Sequence, residues 1–250
     1  MLGPSEKPKD CDSTFTLNHG FKGYSLRRHL GDSPFFSVHP FLVFVSMSHT
    51  PLFASARQNI RTEIRQRRKN LTSGQQTQFA LQAADRVAEH PKIQSAITIS
   101  VFLSFDGELD TTPLIQRLWQ EGKELFLPVL HPFSPHHLLF LRYTPETPLV
   151  RNRLKILEPQ LDVTQVLPLS QLDIILTPLV AFDRHGQRLG MGGGFYDRTL
   201  EHWQDGGPYP IGLAHDCQQV DALPAEHWDV PLPQVITPGK VWTWRRPADC

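Results

Sequence analysis

Between residues 173 and 203 an apolar, strand-like segment (DIILTPLVAF, 173–182) leads through RLGMGGGFYDR (188–198) into a helix-like one (FYDRTLEHW, 195–203). Four of the five residues 190–194 are glycine. A glycine-rich turn at a strand-to-helix junction constrains this chain more than any other feature, because it marks an α/β sheet with bare backbone beyond a strand's carboxyl end. Glycine accepts φ > 0 and lets backbone approach a ligand closely. Exposed backbone N–H groups feeding a helix favour anions. A connector needs fewer glycines, so phosphate binding is the favoured reading. The standard fingerprints do not fit: no Gly-Lys-Ser/Thr triplet follows, and a G-x-G-x-x-G frame from Gly190 and Gly192 ends on Phe195.

The remaining periodicities place this junction in a larger pattern. SARQNIRTEIRQRRKN (55–70) reads as a helix with Ile60 and Ile64 on one face and Arg57, Arg61, Arg65 and Arg68 in a second row. Charge pattern alone favours a solvated basic face over an arm that reaches polyphosphate. Thr72 and Gln75 form a capping box for a helix to about His90, with Phe79, Ala83 and Val87 as its buried stripe. ITISVFLS (97–104) and ELFLPVL (124–130) are strands flanking a helix with Thr112 at its N-cap, Pro113 at its first position and Gly122 past its end, a βαβ unit. LLFLRY (138–143), IGLAH (211–215) and QVIT (234–237) read as strands, and 145–168 as a proline-punctuated connection. The expectation is an α/β fold: a single three-layer α/β/α domain over 55–245 with a mostly parallel open sheet, Rossmann-like. Residues 1–50 show neither period and read as a disordered extension, with the functional chain starting near Met47.

Composition narrows the function classes. Acidic and basic residues balance at 25 each, which gives no electrostatic case for nucleic acid. Three scattered cysteines make neither a disulfide framework nor a zinc pattern, and fit a reducing, cytoplasmic setting. No apolar run is long enough for a membrane span. Arg27-Arg28, FLVFVSM (41–47) and Ala54-Ser55-Ala56 imitate a signal peptide, but Pro34, His39, Pro40 and His49 interrupt it. Two acidic features remain. Asp197, just past the glycines, is placed either to hold Mg²⁺ against phosphates or to stabilise a helix dipole. Asp106, Glu108 and Asp110 follow a buried strand, and face the same crevice or simply make a polar turn. Tyr196 stacks on a ligand ring or packs in the core.

These residues carry a resemblance. PLVAFDRHGQRLGMGGGFYDR (178–198), VFLSFDGELDT (101–111) and the basic first helix resemble the 5-formyltetrahydrofolate cyclo-ligase family over about 55–245. The resemblance implies conversion of 5-formyltetrahydrofolate to 5,10-methenyltetrahydrofolate with ATP as co-substrate and Mg²⁺, releasing ADP and phosphate, in a monomer that needs neither nucleic acid nor membrane. It implies that Arg57, Arg61, Arg188, Leu189, Gly190, Met191, Gly192, Gly193, Gly194, Phe195 and Tyr196 contact ATP. Asp197 and Asp229 would hold the metal, and Arg188 and Asp197 would serve catalysis. Leu103 and Glu108, with the 191–195 backbone, would contact the folate. Relatives often carry lysine where this chain has Gly193, and a basic residue at Met191, so the loop lacks a cation of its own. A non-catalytic folate or nucleotide binder on the same scaffold is the alternative.

Overall fold

A computed structural model of the chain describes residues 50–244. The expected extension, apart from Thr50, and the start at Met47 lie outside the described residues. In chain order, helices α1 (Thr50–Lys69), α2 (Ser73–Ala88) and α3 (Pro91–Ser95) precede strand β1 (Thr98–Ser100). Helix α4 (Thr112–Gln120) leads to β2 (Glu124–Leu130), β3 (Leu138–Arg142), β4 (Leu149–Arg151), β5 (Leu157–Pro159) and β6 (Val166–Leu167). Then come β7 (Ile174–Pro178), β8 (Ala181–Phe182), β9 (Arg188–Leu189), α5 (Phe195–Thr199), β10 (Tyr209–Leu213), β11 (Gln234–Ile236) and β12 (Val241–Thr243).

The main sheet has the order β12-β11-β10-β7-β1-β2-β3-β6. Its five central strands, β11 to β2, are parallel, and β12, β3 and β6 are antiparallel additions at the edges. The fold is therefore α/β with a large, mostly parallel sheet. β1, α4 and β2 form the expected βαβ unit, with Ile99 opposite Leu125. β4 pairs with β5, and β8 with β9, as separate small ribbons.

Local chemistry sets the helix ends. Gln75 N–H donates to Thr72 Oγ1 at 3.3 Å, and Thr72 N–H donates to Gln75 Oε1 at 2.9 Å, the reciprocal bonds of a capping box. At α4 the cap lies one residue earlier than expected: Thr111 precedes the helix, and its buried hydroxyl donates to the Phe102 carbonyl at 2.6 Å. Gly122, at φ +76°, ends that helix in the left-handed conformation. The expected helix over 195–203 stops at Thr199, and a 3₁₀ turn at Trp203–Asp205 follows.

The strands bury both faces, as parallel strands do. Along β7, Ile174 and Leu176 join one cluster while Ile175 joins the other. The first cluster packs under α2, α3 and α4 through Val87, Ile93, Leu114 and Leu118. The second holds Phe126, Leu179, Phe182, Leu200 and Val235, with Trp203, Trp242 and Trp244 at its margin. Little helix covers this second face, which leaves space for irregular chain and a ligand site. A third cluster seats Ile64 of α1 on Val180, Ala181 and Leu189. Among the described residues no helix is long and apolar enough to cross a membrane.

The packing around Gly212 of β10 gives a direct test. A Cβ there would sit 2.7 Å from Leu232 Cδ1 and Val235 Cγ2, and 2.9 Å from Leu179 Cδ2. Gly212→Ala should cost about 1–3 kcal/mol through overpacking. Urea unfolding should show it as a lower midpoint at unchanged slope.

Candidate functional site

A cleft of about 630 Å³ opens beyond the carboxyl ends of β1, β2 and β7, within the usual range for small-molecule sites. The chain leaving β1 supplies Phe102, Leu103, Phe105 and Glu108, and the end of β7 supplies Pro178 and Leu179. The glycine loop forms one wall, and Arg57 and Arg61 reach in from α1. One part of the lining is apolar and the other is charged.

The glycine loop runs from β9 to α5. Gly192 (φ +100°) and Gly194 (φ +67°) adopt left-handed conformations closed to most side chains. Gly190 has an ordinary φ, and nothing in the protein lies within 4 Å of the position its Cβ would take. Glycine here keeps cleft space open rather than relieving the fold. Among the described residues no hydrogen bond uses the amide N–H of Met191, Gly192, Gly193 or Gly194. Leu189 departs from expectation: it is 1% exposed, packs on Ile64 and Val180, and its carbonyl accepts the Val180 N–H. It anchors the loop and does not line the cleft.

The charges are partly committed to one another. Arg188 is 4% exposed and pairs through Nη2 with Asp197 Oδ1. Burial pulls its guanidinium below the usual range while the carboxylates of Asp197 and Asp229 oppose that shift. Its Nε is buried without a protein partner. Asp197 Oδ1 also accepts the Val230 N–H at 3.3 Å, and no bond occupies Oδ2. Arg57 grips Asp229 with two bonds of 2.5 and 3.0 Å and donates to the Pro224 carbonyl. Arg57 engages both oxygens of Asp229, the Glu226 N–H adds a third bond, and Asp229 lines the cleft together with Asp197. Arg57, expected on phosphate, has its guanidinium turned to this carboxylate. Arg61 differs. Its Nε donates to the Gly190 carbonyl at 2.8 Å, and its remaining nitrogens carry no bond.

The α1 basic row is thus no solvated face. Arg68 is fully buried, donates to the Asp106 carbonyl at 3.0 Å, and lies 3.9 Å from Glu108. Arg65 and Lys69 hold the Asp106 carboxylate. Burial pulls that carboxyl up, but these two cations outweigh burial and hold it below the ordinary range. Asp106 (φ +51°) and Gly107 (φ +76°) turn the chain so that Glu108 enters the cleft. Glu108 Oε2 accepts the Phe105 N–H at 3.1 Å. Burial pushes its carboxyl up to about 7, against the pull of Arg68 and that N–H bond. Asp110 instead accepts the Thr112 N–H at the start of α4. Of the three carboxylates after β1, only Glu108 reaches the cleft.

Leu103, Glu108, Arg188, Asp197 and the 190–196 loop therefore meet in one place. The Tyr196 phenol is pushed up by burial, and its ring packs against the second core cluster. Sequence reasoning missed one wall entirely. Asn152, Leu154, Ile156, Leu157 and Glu158, from the β4–β5 ribbon, line the cleft, as does Trp228. The alternation of Leu154 and Ile156 with basic residues in VRNRLKILE was the available signal, obscured by flanking prolines. Among the described residues no three His, Cys, Asp or Glu side chains cluster as a metal site.

A family model described as the 5-formyltetrahydrofolate cyclo-ligase family matches residues 54–238. The chain is 63% identical over 181 residues to the 5-formyltetrahydrofolate cyclo-ligase of Escherichia coli K12, covering 72% of this chain and 100% of that protein. It is 30% identical over 191 residues to the Mus musculus protein of the same name, covering 73% and 93%. Among solved structures, the 5,10-methenyltetrahydrofolate synthetase of Aquifex aeolicus superposes with a TM-score of 0.65 at 27% identity, over 76% of this chain and 93% of that one.

Glu108 yields a pH prediction. Its pKa rises from 4.5 unfolded to about 7 folded, so its stabilising contribution is complete below pH 4.5 and is lost as pH rises through 7. Relative to Glu108→Gln, the wild type should lose up to about 3 kcal/mol across that window. Urea unfolding of both proteins from pH 4.5 to 8 checks this, and parallel stability curves would refute it.

Proposed function

The chain belongs to the 5-formyltetrahydrofolate cyclo-ligase family, and from that premise we propose how its cleft carries out the reaction. As a member, the protein is a ligase of folate one-carbon metabolism that converts 5-formyltetrahydrofolate to 5,10-methenyltetrahydrofolate. One observation carries the site assignment: a single cleft joins an apolar wall ending in the half-buried Glu108 carboxylate to a glycine loop with unbonded N–H groups and a free arginine edge. That pairing suits a flat heteroaromatic ligand beside a polyphosphate.

In this reading the folate's pterin lies against Leu103 and Phe105. Its guanidine-like edge meets Glu108, whose ionised form makes charge-assisted bonds. The ATP phosphates face the 191–194 amides and Arg61. The fit is favourable, because Gly190 leaves room for close approach and the loop offers donors with no internal partner. Asp197 Oδ2 is the one free carboxylate oxygen of the Arg188–Asp197 pair, and Mg²⁺ commonly takes one or two carboxylates plus phosphate oxygens. The metal would neutralise developing phosphate charge.

A formamide oxygen is a poor leaving group. Transfer of the γ-phosphoryl group onto the formyl oxygen releases ADP and leaves an iminium phosphate at N5. The N10 lone pair attacks that carbon, N10 loses its proton, and phosphate departs with the C–O pair, closing the five-membered ring. No step needs a covalent enzyme nucleophile. The protein holds the two reactants in reach and supplies fixed dipoles where charge develops. Arg188, locked by Asp197, adds a positive charge that needs no rearrangement.

The test is the assay with ATP, Mg²⁺ and 5-formyltetrahydrofolate, followed by the ultraviolet absorbance of the methenyl product. Turnover should require all three, and its absence with all three present overturns the reading. Asp197→Asn, which keeps an acceptor for Arg188, should lower kcat by about two orders of magnitude and raise the Mg²⁺ requirement. Unchanged Mg²⁺ dependence removes Asp197 from the metal.

A further inference from the structure

The loop between β2 and β3 has the sequence HPFSPHH (131–137). It is internally organised. His131 Nδ1 accepts the N–H groups of Phe133 and Ser134 at 3.2 and 3.0 Å, and Ser134 Oγ lies 2.8 Å from His137 Nδ1. This scaffold carries His136 at φ +65°, in the left-handed region that is uncommon outside glycine but which histidine enters more readily than most residues. His136 Nδ1 lies 2.7 Å from the Gly193 carbonyl oxygen, across 57 positions of sequence. Its ring also stands 5.7 Å from the Phe195 ring, tilted by 44°.

A carbonyl oxygen only accepts, so Nδ1 must carry the proton, in the neutral tautomer or the cation alike. The contact fixes the direction of one peptide plane. The described peptide bonds are all trans, so the carbonyl of Gly193 and the N–H of Gly194 point in opposite directions. The glycine loop lines the cleft and His136 does not. Holding the Gly193 carbonyl toward His136 therefore turns the Gly194 N–H away from the imidazole. Without that hold, a Gly-Gly peptide rotates at little steric cost, and the loop could present a carbonyl to an anionic ligand instead of a donor.

We propose that His136 is a positioning residue that, through the Gly193 carbonyl, orients the glycine loop for polyphosphate. This rests on the proposed function, in which that loop takes ATP. The role is geometric: the imidazole stands outside the cleft and touches the loop, not the reacting atoms.

Two variants separate the imidazole from the backbone it sits on. His136→Gly removes the side chain and accepts φ > 0, so the loop conformation itself is not strained. His136→Asn restores an N–H donor near the Nδ1 position and tolerates the left-handed region. Calorimetry with a non-hydrolysable ATP analogue and Mg²⁺, alongside steady-state kinetics, reads the outcome. His136→Gly should weaken analogue binding and raise the ATP KM by about three- to tenfold, the worth of one hydrogen bond. The folate KM should move much less, and His136→Asn should recover most of the loss. Unchanged analogue affinity in His136→Gly, equal rises in both KM values, or no recovery in His136→Asn would each overturn the proposal. Failure of the wild type to bind the analogue would instead overturn the functional reading beneath it.

Discussion

The ion pair between Arg188 and Asp197 closes the glycine loop at its base. The two residues flank the glycines, Arg188 on β9 before Leu189 and Gly190, and Asp197 on α5 shortly after Gly194. Residues 190–194 between them have no regular structure and include two left-handed glycines, and Arg61 and His136 hold the Gly190 and Gly193 carbonyls from outside. A buried ion pair adds little net stability, because desolvation cancels much of the attraction. Breaking it by removing one partner is costly, however, and that asymmetry makes it a geometric lock. The lock also leaves Asp197 Oδ2 without a protein partner. The contact that shapes the loop thus preserves a carboxylate oxygen for the metal role proposed above.

Helix α1 divides its cations between two tasks. Arg57 and Arg61 address the nucleotide side of the cleft, one by bracing Asp229 and the other by gripping Gly190 with one nitrogen while leaving the rest free. One and two turns on, Arg65, Arg68 and Lys69 hold the Asp106 turn that presents Glu108. A single rigid element therefore sets the separation between the carboxylate assigned to the pterin and the cation assigned to phosphate. Two ligands must react at hydrogen-bond distances in this reading, and a shared helix holds such spacing better than two independent loops would.

How much of this was legible in the sequence depended on whether the signal was local. The Thr72–Gln75 capping box, β2 and the left-handed Gly122 all follow from neighbours in sequence, and each is where the pattern put it. The glycine run, legible for the same reason, forms one wall of the cleft. Long-range pairings were hidden. The charge pattern of α1 reads as solvated because nothing near it in sequence shows that Asp106 and Asp229 lie against it. The β4–β5 wall was hidden because its strands have three residues each, too few for a period to show among prolines. The pairing of Asp229 with Arg57 was hidden because the two stand 172 positions apart in sequence.

Gly193 joins these points. A Cβ there would meet the Phe195 ring at 2.7 Å, so the ring as placed leaves no room for a side chain at that position. The Phe195 ring in turn faces His136, which takes the Gly193 carbonyl. Absence of the lysine that the family resemblance sets at this position is therefore coupled to an aromatic ring, a histidine on another loop, and a peptide held in one orientation. In the proposed reading Arg61, on a helix with less freedom than a lysine on a glycine-rich turn would have, supplies positive charge beside the loop. A lysine on the loop can follow the phosphates as they move. Arg61 with fixed amides must instead be correctly placed before the ligand arrives, which makes the contacts that hold this loop part of the site itself.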